Sequence, residues 1–217
     1  MIPKIIRSRH PPTFLGAHSS YICPVLDQLK SWDQELLLWF NQFHTPWLDP
    51  VVYWVTKTEF WIPLYLLLIY LIFKDHKRNG WWIMAGLVLT LIISDMVTYR
   101  IMKPLFERLR PSHEPSLQSL LHLVNDYRGG LYGFASSHAA NTVGVAYFMF
   151  LWFRRRYRWI GIMFGWAFVM CYTRIYLGVH YPGDILAGSL VGLVGGWAGF
   201  RFSHWLNDRR PLAPANP

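Results

Sequence analysis

Five stretches of this 217-residue chain contain no Asp, Glu, Lys, Arg or His: residues 62–73, 81–94, 139–153, 159–173 and 185–200. Each is shorter than the roughly 20 residues that cross a bilayer. Each reaches that length by taking in Gly, Ser, Thr, Tyr or one ionisable neighbour. Trp and Tyr gather at the block ends, at Trp61, Trp81, Trp82, Trp159, Tyr176, Trp197 and Trp205, where a membrane–water interface places them. A soluble fold with five buried helices would leave too little polar chain to cover them. The composition agrees: 53% hydrophobic and 15% charged, against about 25% charged in an average soluble domain. The same figures exclude disorder. Two cysteines, Cys23 and Cys171, are too few for a disulfide scaffold.

The net charge of +9 raises nucleic-acid binding as a possibility, but the placement of the charges argues against it. Basic residues crowd the short loops at 74–80 and 154–158, and Arg201, Arg209 and Arg210 follow the last block. Counting crossings puts all three clusters on one face of the membrane, which the positive-inside rule makes cytoplasmic. Segments 103–138 and 174–184 then share the opposite face. The expectation is an inner (plasma) membrane protein with several passes, whose partner is the bilayer and not nucleic acid.

The N-terminal 57 residues are set apart. Residues 1–31 hold Pro3, Pro11, Pro12 and Pro24 with basic Lys4, Arg7 and Arg9, and no apolar core of signal-peptide length. Residues 33–43 and 47–55 read as two short interfacial helices, or else as an interrupted first transmembrane helix. Residues 58–207 form the expected transmembrane domain, and 208–217 a cytoplasmic tail.

Three motifs carry chemistry. The first is Lys103-Pro104-Leu105-Phe106-Glu107-Arg108-Leu109-Arg110-Pro111. Lys103 and Arg110 are about two helical turns apart and are expected on one helix face, a point charge and a planar fork suited to phosphate. The second is Ala135-Ser136-Ser137-His138 at the start of a helix. Ser136 or Ser137 can cap that helix, its free N–H groups favour an anion, and an anion there stabilises protonated His138 as a proton donor. The third is Thr173-Arg174, then His180, then Asp184. A carboxylate four residues from an imidazole can fix its tautomer and raise the nucleophilicity of the far nitrogen. Asp95 and Arg100 are read as a helix-packing polar contact near the interface. Residues 116–127 are read as a short amphipathic helix.

In this order and spacing the motifs resemble the type 2 phosphatidic acid phosphatase superfamily, with its K-x6-R-P, P-S-G-H and S-R-x5-H-x3-D signature. The departures are Ala135 for Pro, Ser137 for Gly and Thr173 for Ser. The resemblance implies an all-α, polytopic membrane helix bundle with five to six transmembrane helices and a PAP2/chloroperoxidase-like core. It implies catalytic roles for His180, His138 and Asp184, and phosphate binding by Lys103, Arg110, Arg174, Ser136 and Ser137. It implies no metal and no cofactor. The expected reaction is hydrolysis of a lipid phosphate or diphosphate through a phosphohistidine, on the periplasmic or exterior face. Undecaprenyl diphosphate is the first choice of substrate; lipid A, phosphatidylglycerophosphate and phosphatidic acid are the alternatives. A non-catalytic scaffold or transporter subunit is the rival class, against which the intact His138, Arg174, His180 and Asp184 argue.

Overall fold

The structure is a computed structural model describing residues 19–209, and those residues form helices and turns with no strand beyond one isolated bridge. The helices are α1 (Ser19–Asn41), α2 (Leu48–Val55), α3 (Ile62–His76), α4 (Gly80–Asp95), α5 (Lys103–Phe106), α6 (Ser137–Phe153), α7 (Ile162–Tyr176) and α8 (Pro182–Arg209). A π-helical turn, Met96–Met102, joins α4 to α5. Pro63 sits in the first turn of α3, where a missing N–H costs nothing, and Pro104 follows the π-helical turn directly.

Helix α8 is the spine of the bundle and packs along both α6 and α4. The packing depends on the absence of side chains. A Cβ on Gly192 would run into the Ala140 carbonyl and lie 2.9 Å from Gly144 N, and one on Gly199 would run into the Gly86 carbonyl. Glycines spaced along α8 thus let three backbones approach closely, the usual means of association where lipid removes the hydrophobic drive between helices. Helices α3 and α4 form a hairpin. Lys77 turns the chain at φ 46°, and Gly80 comes down onto Ile72 and Phe73.

One apolar cluster, including Leu68, Ile72, Ile83, Phe148, Phe153 and Met163, fills the bundle from beside the site to its far end. There Tyr157 Oη donates to Asp75 at 3.0 Å, and the Trp152 ring stacks on His204 and meets His76 edge-on. These contacts gather the 74–80 loop, the 154–158 loop and the end of α8, so the three basic clusters share one end, as expected from the count of crossings. Outside the core, Leu66, Tyr70, Ile92, Phe168, Leu186, Leu190 and Val194 are exposed. An apolar outer surface on that scale belongs against lipid.

Two stretches among the described residues are long and apolar enough to cross a membrane, Thr58–Phe106 and Pro182–Arg209, and the first contains the Lys77 reversal. Three expectations are corrected. The helix placed at 33–43 begins at Ser19. The boundary at 207 falls inside α8, which runs to Arg209; the rest of the expected tail, and residues 1–18, lie outside the described residues. Residues 116–127 are not a helix but turns leading into a 3-10 turn, Val124–Asp126. Leu117 is drawn into one apolar cluster and Val124 into another, while Asn41 Oδ1 takes the backbone N–H of His122 at 2.8 Å. That segment is therefore a structural cover held by contacts on two sides.

Candidate active site

The three sequence motifs converge at the end of the bundle opposite the basic loops. Lys103 emerges from the π turn and is 8% exposed. Its Nζ donates to the Ala135 carbonyl at 3.1 Å and to Ser137 Oγ at 2.9 Å. Arg110 arrives differently from the sequence expectation. Helix α5 ends at Phe106 because Glu107 turns left-handed at φ 45°. Arg110 then sits on an extended segment tied to 131–132 by its own N–H and by the bridge between Leu109 and Tyr132. Lys103 and Arg110 share a site, not a helix face.

Ser136 caps α6: its Oγ accepts the Ala139 N–H at 3.4 Å, and its own N–H is given to the Asp184 carbonyl at 3.0 Å. The Ser137 hydroxyl, in the position where the superfamily signature has Gly, is occupied by Lys103 and by Thr98, whose Oγ1 lies 2.9 Å away. The side chain that departs from the signature therefore positions the lysine. Arg174, 1% exposed, donates through Nη1 to Thr56 Oγ1 at 2.8 Å and through Nη2 to Tyr127 Oη at 3.3 Å. Its buried Nε has no hydrogen-bond partner among the described residues. Thr173, where the signature has Ser, uses its hydroxyl on Met170 O and Thr56 Oγ1.

His180 lies between α7 and α8 and is 1% exposed. Its Nδ1 is 3.3 Å from Asp184 Oδ2, which also accepts the Tyr181 N–H at 3.0 Å. Its Nε2 is 3.1 Å from Arg110 Nη1. Guanidinium can only donate, so Nε2 carries the lone pair and Nδ1 the hydrogen. Burial, and then the charges of Arg110, Arg174 and Lys103, hold the His180 imidazole well below its ordinary range, so it is neutral. Burial and the Arg174 charge likewise pull the Arg110 guanidinium down to about 10, still protonated near neutral pH.

Three cations thus converge on one imidazole, and the carboxylate nearest them, Asp184, is already paired with a fourth, Arg108. Buried charge without a counter-charge is costly. An anion bearing two negative charges removes that cost, and donors fixed in advance act most strongly on charge that develops during reaction. His138 completes the ring of groups, facing Arg174, His180, Arg110 and Lys103. It lines two cavities. One, of about 410 Å³, is walled by Tyr65, Leu68, Met84, Leu87, Val145 and Met170. The other, of about 170 Å³, is lined by Tyr53, Thr56, Lys57, Tyr127 and Arg174.

All eight expected residues are therefore brought together. Sequence reasoning missed Arg108, Asp33, Thr56 and Tyr127, which hold these residues in place. Asp95 behaves as the packing contact expected of it, accepting from Asn141 Nδ2 of α6 at 3.1 Å. No group of three His, Cys, Asp or Glu side chains arranged to hold a metal occurs among the described residues.

A model of the PAP2 superfamily matches residues 79–208. The lipid A 4'-phosphatase of Bacteroides thetaiotaomicron is 38% identical over 187 residues, 85% of this chain and 83% of its own. The protein of the same name from Porphyromonas gingivalis is 32% identical over 84% of this chain and 80% of its own. The undecaprenyl-diphosphatase BcrC of Bacillus subtilis is 25% identical over 75% of this chain and 79% of its own. Among solved structures, Aquifex aeolicus LpxE superposes with a TM-score of 0.60 at 25% identity, covering 78% of this chain and 94% of that one.

Proposed function

The chain belongs to the PAP2 superfamily and is a membrane phosphatase, and from that premise we propose that it removes a phosphate from a lipid through a phosphohistidine on His180. The observation that carries the lipid reading is the apolar cavity that ends at His138. The leaving oxygen lies beside His138, and the chain attached to it runs down between α3, α4, α6 and α7.

His180 Nε2 attacks phosphorus in line, forming the N–P bond as the P–O bond to the lipid breaks. Lys103, Arg110, Arg174 and the N–H groups at the start of α6 hold the equatorial oxygens. His138 gives its proton to the leaving oxygen. In the second half His138 takes a proton from water, the water oxygen attacks phosphorus, and the N–P bond breaks to release inorganic phosphate. Asp184 keeps Nδ1 protonated and supports the charge that grows on the ring.

For the substrate, the similarity to two lipid A 4'-phosphatases favours a monophosphate on a glycolipid such as the 4'-phosphate of lipid A. The polar cavity beside His138, with Lys57, Thr56 and Tyr53, suits a hydroxylated leaving group. This moves the first choice away from undecaprenyl diphosphate, which remains the second reading because the larger cavity is lined mainly by apolar side chains. Phosphate release by the purified protein in detergent, measured across lipid A, phosphatidylglycerophosphate, phosphatidic acid and undecaprenyl diphosphate, tests both. A preference for the glycolipid is expected. Selective hydrolysis of the polyprenyl substrate would reverse the order, and no release from any lipid would sink the reading.

Five spans fit the contacts: α3, α4 with α5, α6, α7 and α8. Asp33 and Asn41 lie about 12 Å apart along α1, yet Asp33 accepts from Gly183 N and Asn41 donates to Tyr176 O, both at the site end. A crossing helix would carry the two to different depths, so α1 is read as lying along the interface. The site then faces the periplasm or exterior, opposite the basic loops.

A further inference from the structure

We propose that Arg108, held by Asp33 of the N-terminal helix, is a positioning residue for the Asp184 and His180 pair, so that α1 is part of the catalytic apparatus. This rests on the His180 nucleophile of the preceding section. Arg108 occupies a position that the K-x6-R-P signature leaves unspecified, and Asp33 lies outside the residues that the superfamily model matches.

The geometry is a linked series of ionic hydrogen bonds. Arg108 Nη1 donates to Asp184 Oδ1 at 2.9 Å, and Nη2 donates to Asp33 Oδ2 at 2.7 Å. Its guanidinium carbon lies 3.9 Å from the centre of the Tyr181 ring, which clamps the fork from one face. Asp33 is fixed in turn: Oδ1 accepts the Gly183 N–H at 2.7 Å. A Cβ at position 183 would lie 2.7 Å from Asp33 Oδ2, so glycine is what lets the carboxylate approach the start of α8.

The Asp184 side chain is fully buried, and its two oxygens are divided. Oδ2 serves His180 Nδ1 and Tyr181 N, while Oδ1 is held by Arg108. Arg108 therefore sets the plane of the carboxylate and aims Oδ2 at the imidazole. It also draws negative charge away from His180, and Asp33 limits how much it draws. Charged and titratable groups facing His180 come from every neighbouring element: Asp184 from α8, Arg174 from α7, Lys103 from α5, His138 from α6 and Arg110 from the extended segment. Arg108 and Asp33 act on it through Asp184.

The test uses the full-length protein in detergent with a lipid phosphate that the wild type hydrolyses. Arg108→Gln and Asp33→Asn should each lower kcat roughly 10- to 100-fold, by analogy with the range found for groups that orient metal-bound imidazoles. KM should stay within about twofold, because neither touches phosphate. The acid limb of kcat/KM should move in opposite directions. Arg108→Gln removes a cation, leaves Asp184 unshared and moves the limb to higher pH. Asp33→Asn leaves Arg108 uncompensated and moves it to lower pH. A purely structural loss would not shift the limb in two directions, and substrate ionisation is common to all variants. Vanadate affinity reports whether the phosphate site is intact. Should Arg108→Gln fail to bind vanadate, Arg108→Lys, which keeps the charge without the fork, should show the kcat loss with an unmoved limb. Wild-type turnover in Asp33→Asn and Arg108→Gln, limbs moving together, or a raised KM at constant kcat would overturn the inference. Turnover by His180→Ala would instead remove the nucleophile on which it rests.

Discussion

Arg110 Nη1 stands 3.1 Å from Nε2 of His180 and caps the one imidazole nitrogen that carries a lone pair. The contact identifies the tautomer, because a guanidinium proton needs a lone pair to point at. On the proposed mechanism, Arg110 is then the group that must turn aside for phosphate to reach Nε2.

His180→Ala should lose phosphate release by at least about 10³-fold, since the covalent route disappears. His138→Gln should lose about 10²- to 10⁴-fold on a lipid alkoxide leaving group. It should lose much less on p-nitrophenyl phosphate, whose leaving group departs without a proton. Wild-type protein quenched in base during turnover should carry a phosphoramidate on His180, detectable by mass spectrometry. Turnover should be insensitive to EDTA, because Lys103, Arg110 and Arg174 already supply the positive charge, and vanadate should inhibit. Full dependence on an added divalent cation would contradict this.

The acid limb of kcat/KM that reports His180 should lie below the imidazole's ordinary 6.5, because burial, then Arg110, Arg174 and Lys103, lower its proton affinity. The same shift links to stability. A lowered folded-state value contributes nothing adverse above 6.5, where both states are neutral. Stability is lost as pH falls below 6.5 toward the folded value, because the unfolded chain takes up the proton first. Arg110→Gln should move the kinetic limb upward. A limb that stays put would mean that another group sets it.

Gly192→Ala should destabilise the bundle by about 1–3 kcal/mol or more, the usual cost of overpacking, since the new methyl meets the α6 backbone with no flexible side chain to give way. Gly188→Ala should cost activity as well, because its methyl runs into the Ser136 carbonyl beside the phosphate site. Thermal unfolding in detergent and the rate on one lipid separate the two effects. Equal losses of stability with full activity in Gly188→Ala would show that the start of α6 tolerates displacement.

A cysteine placed at Asp126, whose side chain is 75% exposed at the site end, should react with a membrane-impermeant maleimide in intact spheroplasts of a cysteine-free variant. One at Arg155, exposed in the opposite loop, should react only after lysis. The reverse pattern would place the site on the cytoplasmic face and redirect the substrate to inner-leaflet lipids.

The helices of the core were legible because uncharged blocks separated by short basic loops leave few ways to thread a chain through a bilayer. Lys103, Arg110, Ser136, Ser137, His138, Arg174, His180 and Asp184 were legible because each lies within a short motif whose internal spacing survives folding. The expected helix face for Lys103 and Arg110 failed at Glu107, whose left-handed backbone ends α5. The expected helix at 116–127 failed because Leu117 and Val124 are claimed by different clusters.

Local spacing and composition determined the class of fold, the gathering of the basic loops at one end and the set of candidate groups that converge at the other. Only the tertiary structure decided how those groups are held. Asp33 reaches Gly183 across 150 positions, Thr56 reaches Arg174 across 118, and Arg108 reaches Asp184 across 76. No periodicity relates such partners. They meet because glycines let α8 lie against α6 and α4, and because buried charges in that close-packed space must find a partner or be left unpaired.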